Sequence, residues 1–165
     1  FGIARKKMQA PVDYYLTGNI ESSPQSAQIK EIIARYNLQD SVHFVGYLFR
    51  DQIKDYLCKA SLVISNRPKS KQDYYGFSTK VGEYLASGTP LITTRWGEAV
   101  NWLTDGVSSY IVEPENTEAL ATAILRVFSN PEESKTIGLA GQEVCRNCFD
   151  YKSWSLPLVN FLRSL

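Results

Sequence analysis

The 165 residues are 44% hydrophobic and 21% charged, a balance that excludes a disordered chain and suffices for one domain with a core. A net charge of +1 excludes a broad electrostatic footprint for nucleic acid. No apolar run approaches the roughly 20 residues that cross a bilayer.

Residues 1–9 read as the tail of a helix. A parallel βα unit normally begins with a strand, so the sequence is expected to start inside its first unit. Residues 12–18 read as a strand ending at Gly18, and 26–38 as a helix with Ile29, Ile32, Ile33 and Tyr36 on one face. Residues 42–47 are the next predicted strand, where His43 alternates with apolar neighbours and is expected to be a packed or edge side chain. Asp51 reads as the N-cap of a helix turning Ile53, Tyr56, Leu57 and Ala60 inward. Residues 61–65 form a short apolar strand of the kind buried on both faces of a parallel sheet.

The second half repeats the alternation. Residues 66–75 read as a long basic loop, and loops of that length are usually functional or mobile. The helix over 79–87 stops at Gly88, and Pro90 opens the strand 91–94. A short helix at 98–104 closes on Asp105 and Gly106, and 110–112 make the last strand. Residues 115–130 form an amphipathic helix with Leu120, Ile124, Leu125 and Phe128 on one side, and the chain stays mostly helical after Pro131. This order predicts an α/β fold, a Rossmann-like three-layer domain with a parallel sheet, occupying 1–165 as a single domain without repeat or linker.

Three cysteines, Cys58, Cys145 and Cys148, lack disulfide-framework spacing, so the expected compartment is reducing and cytoplasmic. Cys145 and Cys148 form a C-x-x-C late in a helical stretch, and the only histidine, His43, is far off in sequence. They read as two half-buried thiols on one helix face rather than as a redox or zinc motif, and no metal site is expected.

Open parallel sheets bind ligands at the carboxyl ends of their strands. Three predicted loops fall there: 46–49, 66–75 and 95–97. The middle one leads into Gly76, Phe77, Ser78, Thr79 and Lys80, a helix start that offers free N–H groups, two hydroxyls and a cation to an anion. Glu83, one turn inside, suits a pair of sugar hydroxyls instead. Anion donors beside a diol acceptor are what a nucleotide or nucleotide-sugar site requires. Gly82 in mid-helix costs about 1 kcal/mol against alanine, which close approach of a ligand or a neighbouring strand would explain. No two glycines stand two apart, so a G-x-G-x-x-G dinucleotide fingerprint is absent, as are the P-loop and the G-x-S-x-G elbow.

Taken together, Gly76-Phe77-Ser78-Thr79-Lys80 through Glu83-Tyr84-Leu85-Ala86-Ser87-Gly88-Thr89-Pro90 resembles the donor-binding segment of GT-B glycosyltransferases of the family-4 type, the glycosyl transferases group 1. Val42-His43-Phe44-Val45-Gly46 is similar to that family's V-x-F-x-G strand, and Thr104-Asp105-Gly106 through Val112-Glu113-Pro114 to its D-G-x-x-G-x-x-V-x-P element. The resemblance covers about residues 12–145 and implies the C-terminal, nucleotide-sugar-binding half of a two-domain enzyme. It implies that Glu83 holds ribose hydroxyls, that Gly76, Phe77, Ser78 and Thr79 meet the diphosphate and sugar, that Lys80 faces phosphate, and that Gly46 and Tyr47 border the base. Arg67 joins this donor-binding set, from an Asn66-Arg67-Pro68 loop like that of a subgroup carrying F-P-S-K-L-x-E-Y. The sequence departs at Tyr75, where the first glutamate of the family's E-x7-E motif belongs. The family's Arg and Lys pair would lie upstream of Phe1, and catalytic residues stay unassigned.

The function so implied is transfer of a sugar, of hexosyl type and with retention, from a UDP- or GDP-sugar to a glycan or lipid-linked acceptor in surface polysaccharide synthesis. No obligatory cofactor or nucleic-acid partner is expected. The full enzyme would be cytoplasmic or peripheral at the inner face of the membrane, and this domain alone inactive. A GT-B nucleotide-sugar epimerase and a non-catalytic nucleotide-binding module are the alternatives.

Overall fold

The computed structural model describes residues 1–76 and 78–165, with Gln72 and Asp73 through their backbone alone. The sequence reading of Phe77 therefore lies outside the described residues. The chain divides into two compact units, Phe1–Tyr56 and Leu57–Leu165.

The first unit opens with a single turn, α1 (Gly2–Arg5), followed by strand β1 (Tyr14–Thr17), helix α2 (Ser26–Arg35) and strand β2 (Val42–Gly46). Strands β1 and β2 pair in parallel, Tyr14 opposite Val42 and Leu16 opposite Phe44. His43 is an edge side chain, as expected: its ring stacks on Tyr15 with centroids 4.8 Å apart, and Nε2 lies 3.3 Å from an Asp13 carboxylate oxygen. Helix α3 (Arg50–Lys59) begins one residue before Asp51, which sits in its first turn rather than at the N-cap. Gln52 takes the capping role in part, since its Oε1 accepts the Phe49 N–H at 2.9 Å.

The second unit holds the three-stranded parallel sheet β3 (Val63–Ser65), β4 (Leu91–Thr94) and β5 (Tyr110–Val112), in the order β3-β4-β5. All four residues of β4 are buried. Successive strand residues point to opposite faces, so both faces of the central strand are covered, as a doubly wound sheet requires. The loop expected at 66–75 contains a short helix, α4 (Lys71–Tyr75), and helix α5 (Thr79–Ala86) follows it. Val81 and Leu85 of α5 pack into a core with Val63, Leu91, Ala99, Leu103 and Ile111. Gly88 ends α5 at φ +73°, a left-handed conformation that glycine adopts without a Cβ penalty.

After β4, a 3₁₀ turn (Glu98–Trp102) leads to β5, and helices α6 (Thr117–Ser129) and α7 (Pro131–Val144) complete the packing. Asn116 caps α6 by accepting the Ala119 N–H at 2.9 Å, and Pro131 stands where a helix tolerates it, in the first turn of α7. Gly138 lets α7 lie directly on the 88–90 turn, because a Cβ there would collide with the Gly88 carbonyl oxygen. A π-helical turn (Cys145–Phe149) and helix α8 (Tyr151–Arg163) follow, so the C-x-x-C lies in a π turn rather than in a regular helix. All three cysteines are free; Cys145 and Cys148 are half-buried and Cys58 is exposed. The Cys145 thiol donates to the Gly82 carbonyl at 3.4 Å, and burial pushes its pKa up, with Asp150 adding to the shift.

No helix among the described residues is long and apolar enough to cross a membrane.

Candidate donor site

The candidate site is assembled where β3 and β4 end. Strand β3 delivers buried Ser65, and two residues later the chain turns at Arg67. That turn is fixed by the neighbouring strand. The Arg67 N–H donates to Thr94 Oγ1 at 3.1 Å, and the same hydroxyl donates back to the Arg67 carbonyl at 3.0 Å. Thr94 is the last residue of β4 and 1% exposed, so water cannot compete for these bonds. Thus held, Arg67 sends its guanidinium to the start of α5, where Nη2 donates to Ser78 Oγ at 3.3 Å. Ser78 is the N-cap of α5, in an extended conformation with φ −78° and ψ 102°. A cation and the positive end of a helix therefore meet at one point.

The opposite wall comes from the chain after β4. Trp96 Nε1 donates to the Ser70 carbonyl at 3.0 Å, and its ring lies 5.2 Å from that of Tyr74. Gly97 turns the chain at φ +88° into the 3₁₀ segment. A cavity of about 170 Å³ is lined by Ser65, Arg67, Gly76, Ser78, Thr93, Trp96 and Gly97, together with the apolar Val81, Ala99 and Val100. Drug-sized ligands occupy pockets of roughly 300–1,000 Å³, so this cavity suits a small anionic group rather than a whole nucleotide sugar.

Electrostatics reinforce the geometry. The Tyr84 hydroxyl is held above the usual phenol range, first by burial and then by the Glu83 charge, while Arg67 pulls the other way. Arg67 and Glu83 thus both lie within electrostatic reach of one side chain of α5.

Of the residues singled out in the sequence, Gly76, Ser78 and Arg67 line the cavity. Thr79, Lys80 and Glu83 are exposed on α5 and stand outside its lining. Tyr75 is 82% exposed, with its ring edge-on to Tyr74 at 4.9 Å. Gly46 and Tyr47 belong to the first unit, where Gly46 at φ +69° accepts the Gly18 N–H at 2.7 Å and Tyr47 is exposed. Gly82 meets no described atom within 4 Å of where a Cβ would stand, so no described neighbouring strand accounts for it. The sequence reading had marked Trp96 and Gly97 only as a strand-end loop, and it missed Ser65, Thr93 and Thr94. Their signal was the pair of hydroxyls ending an otherwise apolar buried strand, just before a glycine-bearing turn. Among the described residues, no group of three or more His, Cys, Asp or Glu could hold a metal ion.

The α/β fold with parallel strands matches the solved C-terminal domains of GT-B glycosyltransferases. The solved structure of HepE from Anabaena in complex with UDP-glucose is similar over 99% of this chain and 44% of that one, with a TM-score of 0.82 and 21% identity. The C-terminal domain of a glycosyl transferase group 1 family protein, LpcC from Francisella tularensis, is similar over 88% of this chain and 91% of that one, with a TM-score of 0.69 and 15% identity. At those identities the likeness shows the fold alone. In sequence, the MMP alpha-(1->4)-mannosyltransferase of Mycolicibacterium hassiacum is 27% identical over 154 residues, 92% of this chain but 35% of that protein. The pattern defining the glycosyl transferases group 1 matches residues 3–130, and the chain belongs to that family. It spans about a third of the mannosyltransferase and less than half of HepE.

Proposed function

We propose that this chain is a single donor-binding domain, the C-terminal half of a two-domain glycosyltransferase that moves a hexose from a UDP- or GDP-sugar to a glycan or lipid-linked acceptor. The observation that carries this reading is the Arg67 guanidinium bonded to the N-cap of α5 beside a cavity at the strand ends. A diphosphate placed there meets the orphan amides of α5 and a cation already held in position. Charge developing on the leaving diphosphate is what such a preorganised group stabilises best, and it requires no metal ion. Glu83, exposed one turn along α5, then takes the ribose hydroxyls outside the cavity.

Two relatives support the donor class. The mannosyltransferase is named for sugar transfer, and HepE was solved with UDP-glucose. Surface polysaccharide synthesis at the inner face of the membrane, with retention of configuration, is the physiological setting we infer for the full enzyme. The domain alone binds donor and transfers nothing, because the acceptor side of a GT-B cleft comes from the other half.

A thermal-shift screen of the chain against UDP, GDP, ADP and their sugars tests the reading. A ligand that binds only the folded state at 100 times its Kd stabilises it by about 2.7 kcal/mol, so either UDP or GDP should raise the melting temperature by several degrees. Glu83→Ala should reduce that rise without lowering the melting temperature of the unliganded chain. No response to any nucleotide, or one indifferent to Glu83, would overturn it.

A further inference from the structure

We infer that Thr94 is the positioning residue of Arg67: its buried hydroxyl sets the loop backbone from which the guanidinium reaches the start of α5. The inference rests on the donor reading above, and it adds a residue that the sequence did not mark. One oxygen grips both polar groups of a single peptide position, accepting from Arg67 N–H at 3.1 Å and donating to Arg67 C=O at 3.0 Å. Thr94 is 1% exposed and sits at the end of β4, paired with Val112 of β5 and one residue beyond the last β3 pair, Ser65 with Thr93. Its position is therefore fixed by the sheet, while Arg67 lies in the irregular segment after β3. A long side chain on an unheld loop would lose much of its effective concentration at Ser78, whereas one anchored at its own backbone arrives prealigned. Trp96 supports the far end of the same segment through the Ser70 carbonyl, so β4 and the turn after it frame the loop at two points.

The chemistry requires a hydroxyl there. Valine has the same shape but can neither accept the Arg67 N–H nor donate to its carbonyl. Serine keeps both bonds and loses only a methyl group. The contrast between these two substitutions isolates the hydrogen bonds from the packing.

The test uses the intact chain and UDP and GDP as probes, with affinity read by calorimetry. Thr94→Val should weaken nucleotide binding about tenfold or more, and Thr94→Ser should stay within about threefold of wild type, in line with the loss of two buried hydrogen bonds to the Arg67 backbone. In an Arg67→Ala background, Thr94→Val should add little further loss, because the two residues act as one unit. Losses that multiply independently, or a Thr94→Ser variant as impaired as the valine one, would overturn the proposal. Should the valine variant fail to fold, Thr94→Ala against Thr94→Ser carries the same contrast. If wild type binds neither nucleotide, the donor reading fails by itself. The hold on Arg67 is then decided by ¹⁵N relaxation of the Arg67 side-chain Nε–H, which should be ordered in wild type and Thr94→Ser and mobile in Thr94→Val. Equal order in all three would sink it.

Discussion

The two faces of α5 have opposite fates. Val81 and Leu85 on the inner face are 2% and 1% exposed and belong to the core of the second unit, whereas Thr79, Lys80 and Glu83 on the outer face are exposed. Both faces come from one eight-residue helix whose start looks, in sequence, like a single anion-binding motif. The difference teaches that the motif is two devices. Its inner half anchors the helix in the core, and its outer half presents exposed side chains. The cation that meets the helix start is supplied by another segment, through Arg67, and not by Lys80, which sits in the first turn itself.

The largest effect should come from breaking the inner face. Leu85→Ala removes a side chain packed among Val63, Leu91 and Ile111, and large-to-small changes in such a core cost about 2–5 kcal/mol. Urea denaturation should show a loss in that range, and a loss under about 1 kcal/mol would mean the inner face is not the anchor. The next effect separates the two cations. Arg67→Ala should weaken UDP or GDP binding about tenfold or more, equivalent to about 1.4 kcal/mol. Lys80→Ala should change it by no more than about threefold, because an exposed charge is screened by salt and water. Titrations of the two variants at low and moderate salt check this, and a reversed ranking would place the anion on the outer face.

Much of the fold was legible in the sequence because burial there follows simple periods. The fully apolar stretch around Val63 and Ile64, the glycine stop at Gly88 and the amphipathic spacing of Leu120, Ile124 and Leu125 each report a local physical demand, and the parallel pairing follows from their order. Helix α4 was not legible, because Lys71–Tyr75 has no apolar period and is shorter than two turns. The site was half legible. Gly76, Ser78 and Glu83 announce themselves by type and spacing, and the family resemblance carries them. Thr94 and Trp96 act through bonds to residues 27 and 26 positions away in sequence, respectively, a relation that no local pattern encodes. Cys145 and Cys148 are half-buried, as expected, but they lie in a π-helical turn, and Cys145 bonds to the Gly82 carbonyl 63 residues back, a partner that no local spacing reveals.

Gly82 gives the finest test of the outer face. Its carbonyl is taken by the Cys145 thiol, yet the space where a Cβ would stand holds no described atom within 4 Å. Glycine inside a helix leaves the unfolded chain more conformational freedom to lose, so alanine at a position without a clash stabilises by about 0.4–1 kcal/mol. Gly82→Ala should therefore raise the unfolding midpoint in urea slightly, with the slope unchanged because the buried area is the same. A fall would mean that another group fills the space, and that the outer face of α5 is less open than its exposed neighbours suggest. A rise makes the glycine a cost that packing in the described chain does not require. A methyl group there is then a small probe of how closely a bound nucleotide approaches: affinity lost alongside the gain in stability would put the ligand against this flank of the helix, and unchanged affinity would confine it to the cavity framed by Arg67 and Trp96.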